Sequence, residues 1–292
     1  MRANTGNASR VAVKDAPFIP GSVCWVDVST TDPACSQQFY SELFGWTYQI
    51  ASRPGRLRYM TASCEGRPVA GLAEVPIRAG HPAAWTLYLA SRNVKRTAQL
   101  LRKWGGRVLV GPTDAGQGSV FIGVDPTGGA IGFWQPARPW TFGRISPGSL
   151  YWAELDTWDG MRADAFFAHL FGYQQQQIRY GIDVDYTTWS VEGQTMLGRL
   201  QMNRNWADPG CAARWMLHFA VDPHIGADAA ADRVLALGGR VDADPYDTEL
   251  GRIARVRDPS GAAFALIDPT NWVDGAADLA AGSARVDDPY DD

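Results

Sequence analysis

Histidine and cysteine are scarce in this chain, four of each among 292 residues. The cysteines (Cys24, Cys35, Cys64, Cys211) lie far apart and form no CxxC pair, which excludes a zinc ribbon or a thioredoxin-type motif. Reduced thiols and a cytoplasmic protein are the expectation. The opening residues, "MRANTGNASRVAVKDAPF", contain no apolar leader core, and no apolar run reaches the ~18 residues of a membrane span. Positive charge is also lacking. The formal net charge is −4, and six Asp against one Arg in residues 274–292 leave the remainder near neutral. Neither nucleic acid nor an anionic membrane is an expected partner. The Gly-Gly pairs follow helical segments rather than open them, so they do not form a phosphate loop, and no GxSxG elbow occurs.

Aromatic residues, in contrast, are plentiful: twelve Trp, ten Tyr and eleven Phe. Such side chains fill cores and also line pockets for flat ligands. The chain also repeats itself. "PGSVCWVDVSTTD" at residue 20 returns as "PGSLYWAELDTWD" at 147, a shift that carries Trp25 to Trp152, Asp27 to Glu154 and Leu43-Phe44-Gly45 to Leu170-Phe171-Gly172. It also carries Tyr59 to Tyr186 and Gly71 to Gly198, and small insertions later pair Trp85 with Trp215 and Asp125-Pro126 with Asp258-Pro259. Two tandem copies of one fold accumulate insertions in this way. The copies span 20–136 and 147–269, joined by the linker 137–146. Residues 1–19 are expected to be a flexible N-terminus and 270–292 an acidic, disordered tail.

A smaller unit recurs within each copy. Residues 23–29 alternate as a strand, Asp32 caps a helix with Pro33 at its first position, and Gly45 ends it. Three short strands follow. "AWTLYLAS" then begins a second round, with Asn93 as helix cap, Gly105-Gly106 as stop and Asp-Pro-Thr-Gly as a tight turn before the last strand.

The ordered pattern of strand, "FYSELFGW", "GG" and "DPTG", present twice, resembles the vicinal oxygen chelate superfamily of glyoxalase I, extradiol dioxygenases and bleomycin-resistance proteins. Its flavour is similar to the tandem-domain actinobacterial branch labelled glyoxalase-like or hydroxylase-like. The resemblance implies an α+β fold of two tandem domains, each a pair of βαβββ modules forming a curved sheet around a cleft. It also implies where a divalent metal would be held: Trp25 and Trp152 on the first strands, Thr86 or Trp85 and Met216 or Trp215 before the second helices, and Gly132 and Ala265 on the last strands. None of these can ligate a metal. No metal and no cofactor are therefore expected.

Alternation along the first strand of each copy places Asp27 beside Trp25, and Glu154 beside Trp152, on the cleft side. A carboxyl beneath an indole is partly desolvated and suited to proton transfer near neutrality. Asp27, Glu154 and the mid-strand His218 are the catalytic candidates. Trp25, Tyr59, Tyr88, Trp152, Tyr186 and Trp189 are the candidate ligand-binding surface. His169 is expected to face solvent, and His81 and His224 to lie in loops.

Three readings stay open. One is a metal-independent enzyme of secondary metabolism that cyclises, isomerises, eliminates from or opens an epoxide on an aromatic or polycyclic small molecule. Another is a protein that sequesters an aromatic antibiotic. The third is a cleft filled by its own tryptophans, with the carboxylates bonded to backbone or Arg or turned toward the domain seam. Tandem domains can pair within one chain, which allows a monomer as well as a homodimer.

Overall fold

Alternating apolar strands and capped helices assemble into two similar halves in the computed structural model, which describes residues 18–51, 58–76, 83–179, 184–205 and 207–270. The expected N-terminal and C-terminal tails, and His81, lie almost wholly or wholly outside the described residues. In the first half, β1 (Val23–Thr30), α1 (Pro33–Phe44), β2 (Thr47–Ile50), β3 (Tyr59–Cys64) and β4 (Arg67–Glu74) form one module. The second module is β5 (Ala84–Ala90), α2 (Val94–Lys103), β6 (Arg107–Asp114), β7 (Gly118–Val124) and β8 (Ala130–Pro136). Their strands join as β2-β3-β4-β1-β5-β8-β7-β6, so the first strand of each module lies at the centre of one curved sheet.

The second half repeats this plan. Its elements are β9 (Leu150–Thr157), α3 (Gly160–Phe171), β10 (Gln174–Arg179), β11 (Tyr186–Val191) and β12 (Gln194–Gln201), then β13 (Arg214–Ala220), α4 (Gly226–Ala236), β14 (Arg240–Val241), β15 (Tyr246–Thr248), β16 (Gly251–Arg257) and β17 (Ala263–Asp268). The order β10-β11-β12-β9-β13-β17-β16-β14 is the same, with β15 added on β16. Where the first half has the continuous β6, the second has two short strands. The intervening Asp242-Ala243-Asp244-Pro245 is poor in strand formers and contains a residue with no backbone donor.

The helix signals act as their chemistry requires. Asp32 Oδ1 accepts from the Cys35 amide at 3.0 Å, and Asp159 Oδ1 accepts from that of Arg162 at 3.1 Å. Gly45 and Gly172 close their helices in the left-handed region, at φ 71° and 74°. In the Asp-Pro-Thr-Gly turn, Asp125 Oδ1 accepts from the amides of Thr127 and Gly128.

Each sheet has two faces of different character. Val26 and Val28, like Ala153 and Leu155, are fully buried on the helix side. The helix sides of the two halves meet in a shared core: Phe39 and Tyr40 of α1 pack on Phe264, and Trp85 packs on Phe219 with ring centroids 4.9 Å apart. The Trp46 indole N–H donates to the Gly148 carbonyl across the same seam. Both concave faces therefore point away from the seam, and so do Asp27 and Glu154.

Candidate functional site

In the first half the site is built outward from β1. Its register sets Trp25 opposite Tyr88 and Asp27 opposite Thr86 on β5, with Gly71 of β4 beside Asp27 on the other flank. The Tyr59 ring crosses over Gly71. A Cβ at that position would lie 2.0 Å from the Tyr59 hydroxyl and 2.8 Å from the Asp27 Cβ, so glycine is required. Gly132 seats the Tyr88 ring in the same way, at 2.2 Å. These two hollows aim both phenols at one carboxyl oxygen. Tyr88 donates to Asp27 Oδ2 at 2.9 Å, while Tyr59 accepts from the Trp25 indole at 2.7 Å and donates to the same oxygen at 3.4 Å.

Asp27 is only 7% exposed. Burial raises its pKa to about 7, against the smaller lowering effect of the two phenol bonds. Burial and the neighbouring Asp27 push both phenols well above their ordinary range, so they remain donors. The carboxyl lies in a cleft of about 770 Å³. Trp134 and Trp140 supply the rest of its aromatic wall. Trp140 packs edge-on against Trp25, with centroids 5.2 Å apart, and its indole donates to the Cys24 carbonyl at 2.9 Å. Neither residue was singled out from sequence. Trp134 stands two residues beyond Gly132 on the same strand face, a period-two signal that could have found it. Trp140 belongs to the linker, where no periodicity points inward.

The second half keeps the relay and changes its surroundings. Trp152 donates to Tyr186 at 2.8 Å, and Tyr186 donates to Glu154 Oε2 at 2.9 Å over the matching hollow at Gly198. His218 takes the place of Tyr88, opposite Trp152 and beside Ala265. Its Nε2 is 3.4 Å from Glu154 Oε1, yet neither ring nitrogen makes a directed hydrogen bond. Arg255 of β16 approaches Glu154 at 3.5 Å and Asp156 at 3.2 Å, and Arg214 approaches Asp156 at 3.5 Å. The ladder places Ile122 of the first half where Arg255 stands in the second. Burial alone would raise Glu154, but His218 and Arg255 outweigh it and hold the carboxyl below its usual range. Asp156 goes the other way: burial and nearby Glu154 raise it despite Arg255 and Arg214.

The frame of strands and helices thus brings Trp25, Asp27, Tyr59 and Tyr88 together in one cleft, and Trp152, Glu154, Tyr186 and His218 together in the other. Trp189 must be corrected. It is fully buried on the helix side, donates to Asp164 at 2.8 Å and packs on Phe167 and Trp215. Its neighbour Thr188, paired with Gly198, holds the cleft-side register instead. His169 is exposed as expected but stacks one ring face on Trp104, 3.8 Å away. His224 lies exposed in a loop.

The register also resolves which residues occupy the metal positions implied by the resemblance. Trp85 faces the core, where its indole donates to Tyr40, and Trp215 packs on Phe167, so Thr86 and Met216 are the cleft-side residues. Trp25, Thr86 and Gly132, or Trp152, Met216 and Ala265, offer no set of metal donors. Among the described residues no group of three His, Cys, Asp or Glu is arranged to hold a metal ion. In the second half, moreover, both carboxylates already face guanidinium groups. The donor chemistry does not fit a divalent metal.

Comparison with known proteins gives a consistent picture. Residues 23–133 match the family model of the glyoxalase/bleomycin resistance protein/dioxygenase superfamily, and residues 152–267 match that of a glyoxalase-like domain. The glyoxylase-like protein CFP32 of Mycobacterium tuberculosis is 32% identical over 88% of this chain and 98% of its own. The anthracycline biosynthesis proteins DauV of Streptomyces sp. (strain C5) and DnrV of Streptomyces peucetius are each 31% identical, over 89% and 86% of this chain and 98% and 94% of theirs. Among solved structures, a Mn(II)-bound glyoxalase from Novosphingobium aromaticivorans superposes with a TM-score of 0.58 at 13% identity, covering 87% of this chain and 86% of that one. A homoprotocatechuate 2,3-dioxygenase variant from B. fuscum gives 0.59 at 16%, covering 88% and 74%. These last two establish the fold alone.

Proposed function

Because the chain belongs to the glyoxalase/bleomycin resistance protein/dioxygenase superfamily, we propose that it is a metal-independent member acting in secondary metabolism on an aromatic or polycyclic small molecule by acid–base chemistry. The observation that carries this reading is Asp27: a carboxyl with a pKa raised to about 7, set by two phenols in an aromatic cleft of about 770 Å³. A group poised near the working pH both gives and takes a proton efficiently. The relatives from anthracycline biosynthesis support the ligand class, and the unsuitable donors at the metal positions support metal independence. In the second half, Glu154 is held ionised beside His218, which makes these two a second candidate acid–base pair.

A cyclisation, isomerisation, elimination or epoxide opening would each use such a group without a bound cofactor. We place the reaction in the cytoplasm, a setting supported by four cysteines that form no disulfide; no helix among the described residues is long and apolar enough to cross a membrane. A monomer is the working unit, since the two halves already share one core.

The test is turnover of polycyclic natural products by the purified chain in the presence of a chelator. Activity should survive the chelator and fall roughly 100-fold or more in Asp27→Asn. Glu154→Gln and His218→Ala show whether the second half takes part. Full activity in Asp27→Asn would refute the assignment of that residue. Tight binding with the ligand recovered unchanged would make the chain a sequestering protein instead.

A further inference from the structure

The two halves act as each other's control. In the second, the carboxylate at the end of the Trp–Tyr relay comes with a cation of its own: Arg255 lies 3.5 Å from Glu154 and 3.2 Å from Asp156. In the first, the same ladder position is Ile122, and the positions of Arg214 and Asp156 are Ala84 and Ser29. Among the described residues, no lysine, arginine or histidine lines the first cleft, and two carboxyl residues do, Asp27 and Asp114. Five aromatic residues (Trp25, Tyr59, Tyr88, Trp134 and Trp140) surround the space in front of Asp27. An anionic ligand has no cationic side chain to meet among the described lining residues. A cation has two kinds, a carboxylate and the faces of indole rings, and aromatic enclosures of this type attract ammonium groups.

We infer that the ligand of the first cleft bears a protonated amine, seated on Asp27 against the tryptophan walls, in the place that the Arg255 guanidinium occupies in the second half. This rests on the part of the functional reading that makes the cleft an aromatic molecule's site, and it specifies the ligand's charge. Both phenols bind Asp27 through Oδ2, so an ammonium N–H can bond the carboxylate without displacing either. The raised pKa of Asp27 fits this: burial raises it, and no cation among the described residues offsets that. An arriving ammonium supplies that cation, and Asp27 ionises as the complex forms. The same pair can exchange a proton, the carboxylate becoming a carboxylic acid and the ammonium a neutral amine.

A matched pair of probes, naphthylethylamine and naphthylethanol, tests this by titration of tryptophan fluorescence at slightly alkaline pH. The amine should bind about tenfold or more tightly than the alcohol, as expected of a charge-assisted bond within an aromatic enclosure. Its affinity should rise with pH through about 7 as Asp27 ionises, and that of the alcohol should not. The preference should vanish in Asp27→Asn, and also in Ile122→Arg, which installs the second half's cation in the first. Equal affinities in the unaltered chain would overturn the amine assignment while leaving the aromatic cleft in place. A preference that persists in Asp27→Asn would overturn it as well. Failure of both probes to bind would remove the cleft reading on which it rests. The comparison in the unaltered chain requires no variant to fold.

Discussion

One hydroxyl at the shared core is present in the first half and missing from the second, and adding it should stabilise the protein. Tyr40 of α1 donates to Asp258 Oδ2 at 3.0 Å and accepts from the Trp85 indole at 3.0 Å. The repeat places Phe167 at the position of Tyr40, Asp125 at that of Asp258 and Trp215 at that of Trp85. Asp125 Oδ2 and the Trp215 indole nitrogen are both buried with no hydrogen-bond partner, as expected if the phenol that would join them is a phenyl ring. The ring that crowds Tyr40 from the other half, Phe264, is replaced by the smaller Ile131, which leaves room. Each unsatisfied buried group costs about 1–3 kcal/mol. Desolvating the new hydroxyl and ordering it offset part of the gain, so Phe167→Tyr should stabilise the protein by about 1–3 kcal/mol. Urea denaturation should show a higher midpoint with an unchanged slope. Tyr40→Phe should lose a similar amount. In a Trp215→Phe background the gain from Phe167→Tyr should shrink, because one of the two partners is gone. A variant Phe167→Tyr no more stable than the parent would refute the account of both orphaned atoms.

Other perturbations act on the clefts. The Asp27 pKa is raised from 3.8 to about 7, so the folded state binds a proton that the unfolded chain has released; stability should fall by up to about 4 kcal/mol as pH rises between these values, then level off. Asp27→Asn should abolish that fall in urea titrations run at several pH values, and a pH profile identical to the parent's would contradict the raised pKa. Gly71→Ala puts a methyl group 2.0 Å from the Tyr59 hydroxyl, so it should expel the phenol, cost about 1–3 kcal/mol and weaken aromatic-ligand binding, measured by fluorescence titration. Arg255→Leu leaves Glu154 and Asp156 side by side without their shared guanidinium; a loss of about 3–5 kcal/mol at neutral pH, partly recovered on acidification, is expected in thermal unfolding.

The fold was legible because it is written twice. Matching Trp25 to Trp152 and Gly45 to Gly172 turns weak local signals into a single frame, and the caps at Asp32 and Asp159 confirm each other. Period-two alternation then assigned Asp27 and Glu154 to the concave faces. It was not carried along β11: from Tyr186 on the cleft side, Trp189 is three residues away and so faces the helices, where it binds Asp164. Trp140 escaped for another reason. A linker residue becomes a wall only through a long-range bond, here to the Cys24 carbonyl 116 positions earlier in the chain, and no local pattern encodes that. The same limit applies to Arg255, which reaches Glu154 from 101 positions later in the chain.

Those long-range partners decide what each copy can do. The relay of indole, phenol and carboxylate is common to both halves and depends on glycine hollows at Gly71 and Gly198 that are themselves visible in the repeat. Around it, His218, Arg255, Arg214 and Asp156 stand as a group in one copy, while Tyr88, Ile122, Ala84 and Ser29 stand in the other. The positions are linked because each makes sense only with the rest: Arg255 without Asp156 and Glu154 would be a partly buried, unpaired cation, and Glu154 beside Asp156 without Arg255 would be two buried charges of one sign. Substituting the set as a unit gives two electrostatic settings of one scaffold. One carboxyl retains its proton near neutrality among aromatic rings, and the other is ionised inside its own ion network. Duplication lets the chain hold both settings at once, one in each half.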